Sequence, residues 1–291
     1  GVWSHPWVRF GVRRLGRLLV SLWVLVTASF LMIHLIPGDP VRAALGPTAP
    51  AALVAAKREE MGLDDPLLAQ YWHYLQSLFT GDLGTSITLQ LPVSQVIAQR
   101  LPATLALAFL AFTVAVAIAV PLGVTMGVRT RRGHGRRTEL AFTGTSVVLG
   151  IIPDFLLGVL LVYVFAVTLG WLPVAGNDSP SAYVLPVLAL AVGPAAILAR
   201  IIRVEMVTVL QADFVRTARA KRLPARTVHL GHALPNALTA SLTLGGLILT
   251  SMVAGTVLAE NVFAWPGLGS MIVSSILNKD YQVVQAIVLV Y

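Results

Sequence analysis

The chain has 291 residues, of which 56% are apolar and only 12% are charged. A soluble globular protein carries about 25% charged residues, so this composition favours a bundle of membrane-spanning helices over a water-soluble fold. The absence of cysteine excludes a disulfide framework, a thiolate metal site and a cysteine nucleophile. The net charge of +8 is typical either of a nucleic-acid binder or of a membrane protein with basic cytoplasmic loops.

Apolar stretches recur along the chain, and most have the length of about 20 residues that crosses a bilayer. They occupy residues 18–36, 103–128, 141–168, 179–199 and 238–259, and a shorter one occupies residues 281–291. We therefore expect an all-α polytopic membrane protein with about six transmembrane helices, the last of them truncated. The first stretch is too long for the apolar part of a signal peptide, so we interpret it as a retained span.

The positions of the lysines and arginines predict the orientation of these spans. With the N-terminus in the cytoplasm, most of the 21 lysines and arginines fall on the cytoplasmic side. The prediction is a multi-pass protein of the bacterial plasma (inner) membrane with a cytoplasmic N-terminus. This arrangement accounts for the basic charge without nucleic acid as a partner.

The sequence divides into three parts: an N-terminal segment with the first span (1–36), an extracytoplasmic segment (37–102) and a transmembrane core (103–291) with a cytoplasmic loop (203–237). A short outer-face helix that ends at Gly81 is predicted from apolar residues at spacings of three and four between Leu68 and Phe79. The outer segment is either a docking platform for an extracytoplasmic partner or a cap that shields the bundle. Pro266 and its neighbouring glycines favour a re-entrant segment at 261–278 over a further span, although a span stays open.

Residues 211–222 of the cytoplasmic loop read as a short basic helix. Asp213 lies at its start and cations lie at its end, as the helix dipole favours. Phe214, Val215 and Ala218 form a small apolar face. Such a helix either fits a groove on a soluble partner or lies on anionic lipid.

Several motifs in this chain resemble those of ABC-importer permeases of the dipeptide, oligopeptide and nickel family, in particular the first of the two permeases in such an importer. The resemblance covers nearly the whole chain and rests on residues 35–40, 81–84, 100–104, 213–222, 234–235, 263–269 and 279–281. It implies that the cytoplasmic loop couples to an ATPase through Asp213, Phe214, Arg216, Thr217, Ala218, Lys221, Arg222, Leu234 and Pro235. Two positions depart from the family pattern: Arg222 replaces a glycine, and Asp154 replaces a small or apolar residue.

The resemblance also implies the function and the partners. We expect a permease of an ATP-driven importer of dipeptides or oligopeptides, with a second permease, two nucleotide-binding ATPase subunits and an extracytoplasmic solute-binding protein. ATP and Mg would be held by the ATPase subunits, because this chain has no glycine-rich phosphate-binding loop. No cofactor, metal site or enzymatic activity is predicted for the chain itself, since His229 and His232 lack further ligands nearby.

Asp154 is an ionisable residue about midway along a predicted span. Such residues are costly in a membrane, and each is a candidate functional site. Asp154 either faces the translocation cavity and attracts a cationic group or forms a structural pair with a cation on another helix. The alternative function is an ion-coupled secondary transporter, which would normally place more ionisable residues within its spans.

Overall fold

The computed structural model describes residues 6–35, 39–131 and 135–291. Residues 36–38, which include the predicted end of the first span, and residues 132–134 of a basic loop lie outside the described residues. The described residues form twelve α-helices and no strand, so the all-α prediction is confirmed. The helices are α1 (Pro6–Leu35), α2 (Pro40–Leu45), α3 (Ala51–Glu60), α4 (Leu67–Thr80), α5 (Val93–Arg129), α6 (Arg136–Ile151), α7 (Asp154–Leu161), α8 (Val184–Val209), α9 (Asp213–Ala220), α10 (Leu234–Val262), α11 (Leu268–Leu277) and α12 (Tyr281–Val290).

Four helical segments of the described residues are long and apolar enough to cross a membrane. They are Trp7–Met32, Val93–Arg129, Pro180–Val209 and Ser241–Val262. A fifth candidate is the pair Arg136–Ile151 and Asp154–Thr168, which is bent by 94°. Helices α11 and α12 have ten residues each and rise only about 15 Å. The count of six spans and the re-entrant segment therefore stay predictions.

The bend in the fifth candidate has a local cause. Pro153 has no backbone N–H, and it forces the preceding Ile152 into an extended conformation with ψ near 122°. The helix therefore ends at Ile151 and restarts at Asp154. Residues 141–168, which were expected to form one span, thus contain a sharp break.

The chain divides into two compact units, one of residues 1–99 with 271–291 and the other of residues 100–270. In the first unit, α4 confirms the predicted helix before Gly81, and Gly81 ends it in the left-handed conformation at φ 77°. The apolar stripe of α4 is only partly covered, because Leu68 is 83% exposed and Phe79 is 90% exposed. Asp39 caps α2 by accepting the N–H groups of Val41 and Arg42.

Helix α8 forms the centre of the second unit. Of its most apolar stretch 67% is buried, against 28% or less for the other three long spans. It packs against α6, α7 and α10, and it also approaches α5 closely. A Cβ atom on Gly123 would lie 2.7 Å from Ile202, and one on Gly127 would lie 2.6 Å from Met206. These glycines let the backbones of α5 and α8 meet, as small residues do between membrane helices.

Candidate coupling surface and membrane-embedded carboxylates

Helix α9 lies within the predicted coupling loop, and one of its faces packs against the core of the second unit. Val215 is fully buried and Ala218 is 6% exposed, and both belong to a core that includes Met206 and Val228. The helix is shorter than the predicted 211–222, because Ala212 is extended before it. The predicted apolar face is therefore divided: Val215 and Ala218 anchor the helix, and Phe214 points away from that core.

The opposite face of α9 is open. Phe214 is 45% exposed, and Asp213, Arg216 and Thr217 are also exposed. Arg216 Nη1 lies 3.4 Å from Asp213 Oδ1, and the Thr217 hydroxyl donates to the Asp213 carbonyl. The exposed ring of Phe214 is thus flanked by polar side chains whose contacts are local to the helix.

The turn after α9 has an unusual backbone. Lys221 and Arg222 are exposed, and Arg222 adopts φ 55° in the left-handed region. The resemblance implied a glycine at this position, and glycine is the residue that takes such a φ without cost. Arg222 therefore carries backbone strain in this turn.

A π-helical segment at Thr227–Ala233 joins this turn to α10. Leu234 packs partly against the same core as Val215, and Pro235 is exposed at the start of α10. Proline in a continuous helix removes a backbone donor and crowds the preceding turn, and the π-helical segment lies directly before it. Burial lowers the pKa of His229 within this segment, and the nearby charges of Arg131 and Arg219 lower it further.

Asp154 is the first residue of α7, directly after the break at Pro153. Its carboxylate is partly exposed and lies against two glycines: a Cβ on Gly193 would be 3.8 Å from Oδ1, and one on Gly255 would be 3.5 Å from Oδ2. No hydrogen bond or ion pair joins this carboxylate to another described residue. Its only evident compensation is its place in the first turn of a helix, where the helix dipole favours an acid.

Glu260, which the sequence motifs do not single out, is the second acid in this unit that apolar residues surround. It is fully buried near the end of α10. The Thr104 hydroxyl donates to Oε1 at 2.7 Å, and the Ser270 N–H donates to Oε2 at 3.0 Å. Gly267 and Gly269 approach so closely that a Cβ on either would collide with this carboxylate.

The chain reverses between α10 and α11, and the ring of Trp265 stabilises this reversal. Trp265 is fully buried, donates its indole N–H to the Ala103 carbonyl at 3.1 Å and meets Tyr183 edge to face at 4.6 Å. Residues 263–269 were singled out by resemblance, and their role in the structure is to turn the chain around Glu260. The sequence signal for Glu260 is its position as an acid between two apolar stretches, which marks a candidate site.

The first unit holds a further buried acid. Asp280 precedes α12 and accepts hydrogen bonds from the Ser86 hydroxyl and from the N–H and hydroxyl of Thr88, all on Oδ2. Oδ1 has no partner among the described residues. Within those residues, no three His, Cys, Asp or Glu side chains are grouped to hold a metal ion.

The sequence matches the family model described as binding-protein-dependent transport system inner membrane component over residues 119–291, and the model of its N-terminal part over residues 7–108. The chain belongs to this family. It is the permease subunit of an ABC importer, so the alternative of an ion-coupled secondary transporter is set aside.

Relatives agree with this assignment over almost the whole chain. The glutathione transport system permease protein GsiC of Salmonella typhimurium is 40% identical over 285 residues, which are 98% of this chain and 92% of that protein. GsiC of Pectobacterium atrosepticum is 41% identical over 286 residues with the same coverage. A chain of the inward-facing MetNI methionine ABC transporter superposes with a TM-score of 0.52 at 21% identity, covering 68% of this chain and 91% of that chain, and this likeness concerns the fold alone.

Proposed function

We propose that this permease forms half of a translocation pathway for short peptides and that glutathione represents the substrate class. The GsiC relatives, at 40% identity, support this proposal because their name specifies glutathione. The other half of the pathway is a second permease. An extracytoplasmic binding protein delivers the solute, and the N-terminus lies in the cytoplasm.

ATP hydrolysis takes place in two separate subunits, which bind ATP and Mg. The geometry of α9 supports a contact with these ATPase subunits. Val215 and Ala218 anchor the helix, and Phe214 is 45% exposed. A rigid element seated in a moving partner transmits motion to the spans. An exposed aromatic ring on such an element is the kind of residue that dominates binding energy. Asp213, Arg216, Thr217, Lys221 and Arg222 surround it, and Leu234 and Pro235 fix the segment that follows.

The test is co-purification of the ATPase subunits with the tagged permease from cells that express the whole system. The variant Phe214→Asp removes the exposed ring without entering the core. Leu230→Asp is a matched control, because Leu230 is also 45% exposed and lies in the same loop. We expect Phe214→Asp to lose about 2 kcal/mol of binding, roughly a thirtyfold weaker association, and Leu230→Asp to retain the ATPase.

Equal retention of the ATPase by both variants would show that α9 is not the contact. A loss in both variants would contradict a contact centred on α9. The membrane fold of each variant is checked by its melting temperature in detergent, so that a general loss of structure is recognised.

The same proposal includes Asp154. We infer that its carboxylate faces the translocation cavity and attracts the amino terminus of the peptide in transit. Its lack of a partner among the described residues and the two glycines beside it support this inference. A structural acid would be expected to have hydrogen-bond donors, as Glu260 has.

A further inference from the structure

A cavity of about 380 Å³ lies in the first unit, which contains no residue of the coupling surface. It is bordered by the end of α1, the turn after α3, helix α4, the loop at 82–90 and helix α12. Its volume falls within the range of about 300 to about 1,000 Å³ that is typical of small-molecule sites. Five separate segments thus enclose a space of the size that holds a small solute.

The floor of this cavity is lined by aromatic rings. Phe30, Tyr74 and Tyr281 line it, and the rings of Phe30 and Tyr74 lie 5.6 Å apart. The Tyr74 hydroxyl is buried without a hydrogen-bond partner among the described residues. The Ser29 hydroxyl lies beside it, within the same protein-enclosed space. Tyr74 therefore contributes its ring, and not its hydroxyl, to the floor of the cavity.

The rim of the cavity carries charges of both signs. Lys57 and Glu60 form an ion pair at 2.7 Å, and the Glu60 side chain is 67% exposed. Asp82 accepts the Gly84 N–H on one carboxylate oxygen and is exposed. An exposed pair of this type is weak and opens readily. A cation and two carboxylates on one rim suit a ligand that has both an ammonium and a carboxylate group.

We propose that this cavity is a binding site for a short zwitterionic peptide. This inference rests on the proposed import of peptides and adds a second site, separate from Asp154, on the part of the chain that holds α4. The aromatic floor takes the apolar part of the peptide, and the rim takes its charged ends.

The absence of cysteine from the chain allows a direct test. Ser77→Cys places one thiol in the cavity wall, and Gln76→Cys places one on the adjacent exposed position outside it. Both variants are reconstituted with their partner subunits in phosphatidylcholine nanodiscs and labelled with a maleimide. Trialanine at about four times its Kd is expected to slow labelling of Ser77→Cys about fivefold.

Two controls make the result specific. Labelling of Gln76→Cys is expected to be unchanged by trialanine, and N-acetyl-trialanine amide, which lacks both charges, is expected to protect neither variant. Absence of protection at Ser77→Cys would overturn the site. Equal protection by the uncharged peptide would overturn its zwitterionic specificity, and protection of Gln76→Cys would show that the effect is not local.

The outcome is independent of the proposed coupling. A permease that retains its ATPase but shows no protection refutes the cavity site and leaves the proposed function standing. Protection in a permease that binds no ATPase would support the cavity and refute the coupling role.

Discussion

Two carboxylates of the second unit lie among apolar helices, and their surroundings differ. Glu260 is fully buried and receives hydrogen bonds from Thr104 and Ser270. Asp154 is partly exposed and receives none from the described residues. A carboxylate among apolar helices is explained by the fold when its hydrogen bonds are satisfied, whereas one without such bonds calls for another explanation. This contrast indicates that Glu260 stabilises the fold, and it is consistent with the proposed role of Asp154 in the translocation pathway.

The strongest test of this contrast is removal of the Glu260 carboxylate. Glu260→Ala would leave the Thr104 hydroxyl and the Ser270 N–H without an acceptor. Each hydrogen bond to a charged group contributes about 1.5 kcal/mol or more, so we expect the stability to fall by about 3 kcal/mol. The measurement is the melting temperature of the permease in detergent.

Glu260→Gln is the matched control, because it keeps one acceptor oxygen and nearly the same shape. We expect it to lose about half as much stability as Glu260→Ala. A Glu260→Ala protein that melts at the wild-type temperature would contradict the structural role.

The glycines around Glu260 offer a second test. A Cβ on Gly269 would lie 2.5 Å from the Val257 Cα and 2.9 Å from Glu260 Oε2, so Gly269→Ala is expected to destabilise by about 2 kcal/mol. Gly246→Ala is the control, since nothing lies within 4 Å of a Cβ there and α10 is helical at that point. We expect that control to be neutral or stabilising by about 0.5 kcal/mol. Equal melting temperatures for the two variants would contradict the close packing at the reversal.

The helices of this fold follow from local patterns in the sequence. Long apolar runs predict α1, α5, α8 and α10, and the stripe before Gly81 predicts α4, because both signals lie within a few turns of chain. The 94° bend at Pro153 could not be predicted in the same way, because a hydropathy pattern does not show how strongly a proline bends a helix.

The buried polar contacts could not be read from sequence for a different reason. The Thr104 partner of Glu260 is 156 residues away along the chain, and the Ser86 partner of Asp280 is 194 residues away. Likewise, the apolar pattern of α9 does not say which of its residues face the core. Only the packing of Val215 and Ala218 shows that Phe214 is the residue left exposed.

The functional side of the contrast is tested at Asp154. Asp154→Asn is expected to change stability by less than about 0.5 kcal/mol, since no partner among the described residues loses a bond. We expect the KM for a peptide with a free amino terminus to rise roughly fivefold, which corresponds to about 1 kcal/mol. The KM for the N-acetylated peptide should not change. The measurement is uptake into proteoliposomes with the complete system.

Asp178→Asn is the control for this experiment, because it removes one exposed acid from the same unit. It is expected to leave both KM values unchanged. A large loss of stability in Asp154→Asn with no change in KM would place Asp154 in the same structural class as Glu260.

Arg222 extends the contrast from side chains to the backbone, and its expected effect is no larger than that at Asp154. Its φ of 55° lies in the left-handed region, which glycine adopts more readily than arginine. Arg222→Gly should therefore stabilise the protein by about 1 kcal/mol, whereas Arg222→Ala, which keeps the strain and removes the charge, should change it little. If Arg222→Gly is more stable than the wild type but both variants retain less ATPase, the arginine side chain contributes to coupling. Strained residues often serve function in this way. If Arg222→Gly does not melt above Arg222→Ala, the left-handed turn is not the source of strain.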